Sequence, residues 1–217
     1  MKLFKDRYQA SCLLGEKLHA YRNAHAVIAA IPKGGVPIGF YLSELLDLPL
    51  ELLPCRRLEY ASLQGQTIGS VSLEDTILRD ELIDLPQDYL THQIAQLRRG
   101  LQKEYEVCHE GCAPVSFHHK TIVVVDDLLI TSDSMQAALR TLRKSKPKKI
   151  VVAVPVVSFE AARIISREAD DLVYLTMSSF TAADEYVFGK VPPIGWKDVN
   201  SLLRQASLQG LHAAQQE

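Results

Sequence analysis

The sequence predicts an α/β protein, a mostly parallel sheet with helices on both faces, and three observations carry that prediction. Short, continuous apolar runs recur at Ala26 to Ile31, Thr121 to Val125 and Lys149 to Val154, as expected of strands buried on both faces. Other stretches place apolar residues at three- and four-residue spacing, the pattern of amphipathic helices. In the second half of the chain the two patterns alternate, and such alternation argues for parallel pairing.

Taken in order, Asp6 to Arg22 puts Tyr8, Leu14, Leu18 and Tyr21 on one helical stripe. The strand Ala26 to Ile31 stops at Pro32-Lys33-Gly34-Gly35, and a helix from about Val36 to Asp47 follows. The apolar Leu50 to Leu53 leads into Arg56 to Asp80, which has no helical stripe and reads as a long loop or hairpin. Asp88 to Val107 is a long, charged helix. After the strand Thr121 to Val125 come a helix from about Ser134 to Ser145, the strand Lys149 to Val154, a helix Ser158 to Glu168 and a strand Asp171 to Leu175. The tail after Ser207, rich in Ala and Gln, reads as a frayed helix end. No repeat or low-complexity segment interrupts this order, and residues 1–217 read as a single domain.

Composition narrows the class. The 217 residues carry 24 Lys and Arg against 26 Asp and Glu, a net charge of −2, and 47% are hydrophobic. A chain of this length can bury one core. The longest strongly apolar run, Ile150 to Val157, contains Pro155 and falls far short of the roughly 20 residues a membrane helix needs. The N-terminus carries Asp6 and no long apolar stretch, so a cytoplasmic location is expected. Cys12, Cys55, Cys108 and Cys112 are too few for a disulfide scaffold and are expected as free thiols.

In open parallel sheets ligands bind beyond the carboxyl ends of strands. There the sequence offers Val123-Val124-Val125-Asp126-Asp127-Leu128-Leu129-Ile130-Thr131-Ser132-Asp133-Ser134, two carboxylates ending a strand and a hydroxyl-rich turn opening a helix. Ionised carboxylates accept strong hydrogen bonds from a sugar diol. Backbone N–H groups at a helix N-terminus cradle phosphate. Together these groups suit a phosphorylated ribose.

The same residues resemble the signature of the type I phosphoribosyltransferases: an apolar strand, two acidic residues, three variable ones, then Thr-Gly-x-Thr. Ala30-Ile31-Pro32-Lys33-Gly34-Gly35-Val36-Pro37 resembles the family's pyrophosphate loop. Val152 to Val156 and Ala169 to Val173 are similar to strands of a bacterial branch of predicted phosphoribosyltransferases, and the likeness covers most of residues 4–180. The resemblance implies a transferase moving the 5-phosphoribosyl group of phosphoribosyl pyrophosphate to a purine or pyrimidine base. Asp126 and Asp127 would bind the ribose hydroxyls and, through water or substrate, magnesium. Ile130, Thr131, Ser132, Asp133 and Ser134 would hold the 5′-phosphate, and Pro32, Lys33, Gly34 and Gly35 would face pyrophosphate. Arg56 and Arg57 would neutralise the leaving group from a flexible loop at about 56–80, while a hood at about 180–217 would hold the base. A homodimer in nucleotide metabolism is the expected setting.

This chain departs from the signature at Ser132, where the family has glycine, and at Asp133, which would set a carboxylate beside a phosphate dianion. Asp133 with Gln136 also has the spacing of a capping box, a reading in which the turn binds nothing. The competing class is therefore a catalytically weakened relative that binds nucleotides or serves as an RNA-linked regulator. The basic stretch Arg140 to Lys149 reads as a helix C-terminus more than as a nucleic-acid patch. Cys108, His109, Cys112, His118 and His119 offer zinc-type ligands but match no common finger spacing, and read as a polar loop. Phe180, Tyr186, Phe188 and Trp196 could stack on a base or lie in the core.

Overall fold

A computed structural model describes residues 3–60, 66–79, 86–110, 113–178, 187–189 and 192–214. The central sheet is parallel throughout. Strand β1 (Ala26–Ala30) lies between β2 (Leu50–Leu52) and β6 (Thr121–Val125), and β6 pairs with β8 (Lys149–Ser158). The far half of β8 pairs with the two-residue β7 (Leu128–Leu129), and its other side carries β9 (Asp171–Ser178). The registers place Val125 beside both Ala30 and Ala153, so β1 and β6 end level with one another.

Both faces of β1, β6 and β8 are buried, which is why these strands read as unbroken apolar runs. One face packs Ile28, Val123 and Val151 against α1 (Arg7–Lys17), α2 (Gly35–Leu46) and α6 (Trp196–Ala214). The other packs Val27, Val124 and Val152 against α4 (Asp133–Lys144) and α5 (Phe159–Glu168). Helix α1 begins where the Asp6 carboxylate accepts the Gln9 N–H at 2.8 Å. Helix α5 begins at Ser158, whose Oγ accepts from Ala161 at 3.0 Å.

Pro155 interrupts the ladder. Strand β6 pairs with β8 only as far as Ala153, β7 takes over at Val156, and the register with β9 passes from Val154 to Val156. A proline has no N–H to offer a neighbour, and in a central strand it belongs at such a break.

Two helices differ from expectation, and a third element resolves an open one. In α1, Leu14 is buried as predicted but Tyr8 is 54% exposed, and the inner face is Arg7, Ala10, Ser11, Leu14 and Gly15. Small residues there let α2 approach, and Tyr8 packs edge-on against Tyr41 at 5.0 Å instead. The Arg56–Asp80 segment is strand over most of its described length: β3 (Cys55–Tyr60), β4 (Gln66–Ser72) and β5 (Thr76–Leu78) form an antiparallel sheet. Leu58, Ile68 and Val71 give it a small core with Leu90 of α3 (Gln87–Cys108), so of the two expected forms, loop or hairpin, the segment takes the hairpin and extends it by a third strand. At the C-terminus, α6 runs on to Ala214, past the point at which fraying was expected.

Among the described residues no helix is long and apolar enough to cross a membrane. Cys12, Cys55 and Cys108 are free thiols; Cys112 lies outside the described residues.

Candidate active site

Because β1 and β6 end level, the loops that leave them meet. The Ile31 N–H donates to the Val125 carbonyl at 2.9 Å, and the chain then turns through Pro32-Lys33, joined by a cis peptide, into α2. Gly34 and Gly35 are required by proximity, not by φ, since Gly34 has helical angles of −64° and −33°. A Cβ on Gly35 would lie 2.5 Å from the Val125 oxygen and 2.9 Å from the Asp126 Cα. One on Gly34 would overlap the whole Asp127 carboxylate. The glycine turn and the acidic pair thus fill one volume, and the Lys33 side chain stands exposed beside them.

The two carboxylates differ. Asp127 is 8% exposed, and its Oδ2 accepts from Arg7 Nε at 3.0 Å and Nη2 at 2.7 Å. Arg7 is itself buried, lies over the Phe188 ring at 5.2 Å, and its Nη1 has no hydrogen-bond partner among the described residues. Asp126 is part-exposed, and its Oδ1 accepts the backbone N–H of Asp127 at 2.8 Å. Burial first, and then the charge of Asp127, push the Asp126 carboxyl well above the usual carboxylate range. The Arg57 charge draws it partly back.

Arg57 is exposed on β3. Arg56 must point to the opposite face of that strand. It donates through Nη2 to both oxygens of Glu104 on α3, each at 2.7 Å, and lies 6.0 Å from the Trp196 ring centroid. From this strand the structure brings Arg57, not Arg56, within electrostatic reach of Asp126.

Downstream, the Ile130 carbonyl accepts from Ser158 Oγ at 2.7 Å, and Thr131 is exposed. Helix α4 starts at Asp133, one residue before the expected start, and Ser132 at its N-cap makes no capping bond. The Ser132 hydroxyl donates to Gln136 Oε1 at 3.1 Å. Asp133 does not cap either: its Oδ2 accepts from Arg79 Nε at 3.1 Å and Nη2 at 2.6 Å. Ser70 of β4 reaches Ser134 Oγ at 3.5 Å. The small sheet is therefore fastened to the turn that opens α4.

Arg7 and Arg79 were not among the residues singled out by the sequence. Their partners lie 120 and 54 residues away, and no local spacing marks them. Of the aromatic candidates, Phe188 is core, 6.1 Å from Phe4, and Trp196 is part-buried beside Arg56. Phe180 and Tyr186 lie outside the described residues. Cys108 is buried, and His109 is bound to Glu51 of β2 at 2.8 Å. Among the described residues no group of three His, Cys, Asp or Glu could hold a metal by itself.

An open parallel sheet whose polar turns gather at one edge belongs to the α/β proteins that bind ligands beyond their strand ends. The phosphoribosyl transferase domain family matches residues 10–194, and the chain belongs to that family. A Mycobacterium tuberculosis protein provisionally named a phosphoribosyl transferase is 26% identical over 181 residues, 81% of this chain. The chain spans 40% of the length of that relative. The crystal structure of TT1426 from Thermus thermophilus is similar over 95% of this chain and 100% of its own, with 27% identity and a TM-score of 0.78. A purine phosphoribosyltransferase from Pyrococcus horikoshii shares the fold, at 18% identity and a TM-score of 0.50 over 89% of this chain and 98% of its own.

Proposed function

We propose that the chain is a phosphoribosyltransferase that moves the 5-phosphoribosyl group of phosphoribosyl pyrophosphate to a nitrogenous base, purine or pyrimidine, and releases pyrophosphate. One observation carries the reading: the glycine turn after β1 and the acidic pair after β6 fill one volume, with the uncapped start of α4 just beyond the pair.

Each group has a role in that reaction. Asp126, part-exposed and with no cation in contact among the described residues, accepts the ribose hydroxyls. Asp127 is spoken for by Arg7 and fixes that guanidinium at the edge of the site. The first turn of α4 offers backbone N–H groups and the positive end of its dipole to the 5′-phosphate, with Thr131 and Ser134 hydroxyls beside it. Lys33 and Arg57 face the departing pyrophosphate. As the bond to the anomeric carbon breaks, negative charge grows on the leaving group, and fixed cations there stabilise the transition state more than the ground state.

Magnesium fits this donor set. Asp126 offers hard carboxylate oxygens at the part-exposed end of the acidic pair, and hard cations take such oxygens, often sharing them with substrate phosphates. Asp126 would hold the ion, through water or the substrate diol, and the ion would add positive charge against pyrophosphate. A cytoplasmic homodimer remains the expected setting.

The test is direct. Phosphoribosyl pyrophosphate with magnesium should raise the melting temperature of the protein, and a panel of purine and pyrimidine bases should include one that triggers pyrophosphate release. Asp126→Asn should lower that release about a hundredfold or more while leaving the fold intact. A wild-type protein that ignores phosphoribosyl pyrophosphate overturns the reading.

A further inference from the structure

Asp133 is the residue that most opposes a phosphate at the start of α4, and it does not stand there uncompensated. Its carboxylate is largely buried, 11% exposed, and both bonds it accepts come from a single guanidinium. That guanidinium belongs to Arg79, the residue that follows β5. The Arg79 N–H donates to the Ile68 carbonyl of β4 at 3.0 Å, so the cation is delivered by the small sheet as a fixed part of its backbone. Ser70 of β4 and Ser134 of α4 add a second tie beside the first. Arg57, whose charge reaches Asp126, stands on the same sheet.

We propose that Arg79 is a positioning residue of the donor site. By taking up the charge of Asp133 it lets the Thr131–Ser134 turn accept a phosphate monoester, so that an aspartate is tolerated in a phosphate cradle. The inference rests on the function proposed above and deepens it. Two consequences follow from the geometry. The cradle accepts phosphate only while the small sheet is seated on α4, because the charge of Asp133 stands uncompensated when Arg79 leaves. Arg79 and Asp133 act as a pair, so the loss of one should be repaired by loss of the other.

The experiment is a four-protein cycle read by titration calorimetry with ribose 5-phosphate, and with phosphoribosyl pyrophosphate and magnesium. Arg79→Gln should weaken both ligands about tenfold or more, since it leaves an unpaired carboxylate facing the phosphate. Asp133→Asn should bind within about threefold of wild type, and so should the double variant, because neither carries the repelling charge. Recovery of affinity in the double variant, with Arg79→Gln still folded on chemical denaturation, supports the proposal, because a residue that merely contacts phosphate is not rescued in this way and a fold defect would show in the denaturation. A double variant as weak as Arg79→Gln overturns it. If Arg79→Gln does not fold, Arg79→Lys takes its place: affinity within about threefold of wild type supports charge compensation, and a loss of about tenfold overturns it. Wild type that binds neither probe overturns the proposed function together with this inference. Wild type that binds, with no rescue, overturns only the inference.

Discussion

Gly34→Ala offers the sharpest test of how the glycine turn and the acidic pair share space. The backbone of Gly34 is helical, at φ −64° and ψ −33°, so alanine is conformationally acceptable and by itself would stabilise the fold by about 0.4–1 kcal/mol. The added Cβ, however, falls on the Asp127 carboxylate at a separation real Cβ atoms do not adopt. Asp127 must withdraw by an ångström or more to reach ordinary contact at roughly 3.5 Å. Its bonds to Arg7, at 2.7 and 3.0 Å, do not survive that movement. Breaking a buried ion pair costs about 3–5 kcal/mol, and after the backbone gain the net loss is about 2–4 kcal/mol. Chemical denaturation of wild type and variant measures it. Gly100→Ala is the control, because its Cβ would meet only the flexible end of Arg56 at 3.8 Å, and in mid-helix it should stabilise by about 0.5–1 kcal/mol. Gly34→Ala as stable as wild type, alongside a stabilised Gly100→Ala, refutes the shared-volume argument.

Three further outcomes are expected. Arg7→Met should destabilise by about 3–5 kcal/mol, by leaving Asp127 buried and unpaired, and Arg7→Met with Asp127→Asn should recover part of the loss on denaturation. Burial opposes the charge of His109, but the Glu51 carboxylate and the Tyr105 carbonyl outweigh it and hold the imidazole above its ordinary value. Its folded pKa exceeds the unfolded value of about 6.5, so the contribution is full below that pH and is lost as pH rises through the folded pKa; His109→Gln should flatten that part of the stability profile. Cys55, buried and with its thiol pushed up by desolvation and then by Asp126, should resist alkylation in native protein while Cys12 reacts.

The inner strands of the central sheet were legible because burial on both faces leaves no polar residue to interrupt the pattern in Ile122 to Val125 and Ile150 to Val154. The turn between Asp126 and Ser134 was legible because it lies within one stretch of chain. Of the three-stranded sheet only a hairpin was legible, since Gln66 to Ser72 sets Ile68 and Val71 among small polar residues and finds its packing between α3 and α4. Arg98 of α3 donates to Ser72 and Thr76, and Ser72 of β4 bonds Thr141 of α4 at 2.5 Å. Glu51 hid inside an apolar run, and only the fold supplies His109 and the Val115 N–H that satisfy its buried carboxylate. Ion pairs such as Arg7 with Asp127 have no periodicity for a sequence to display, because each partner is chosen by topology.

The break in the ladder at Pro155 bears on how durable the site is. Between Ala153 and Val156 one flank of β8 has released β6 and not yet taken up β7, and the intervening residues Asp126 and Asp127 have no β8 partner to hold them in the plane of the sheet. Their departure from the sheet is thus set by main-chain pairing, ahead of any preference of the two side chains. Position and side-chain chemistry are separately encoded here: substitutions at 126 and 127 change the groups the opening presents, while its location stays fixed by a residue on the neighbouring strand.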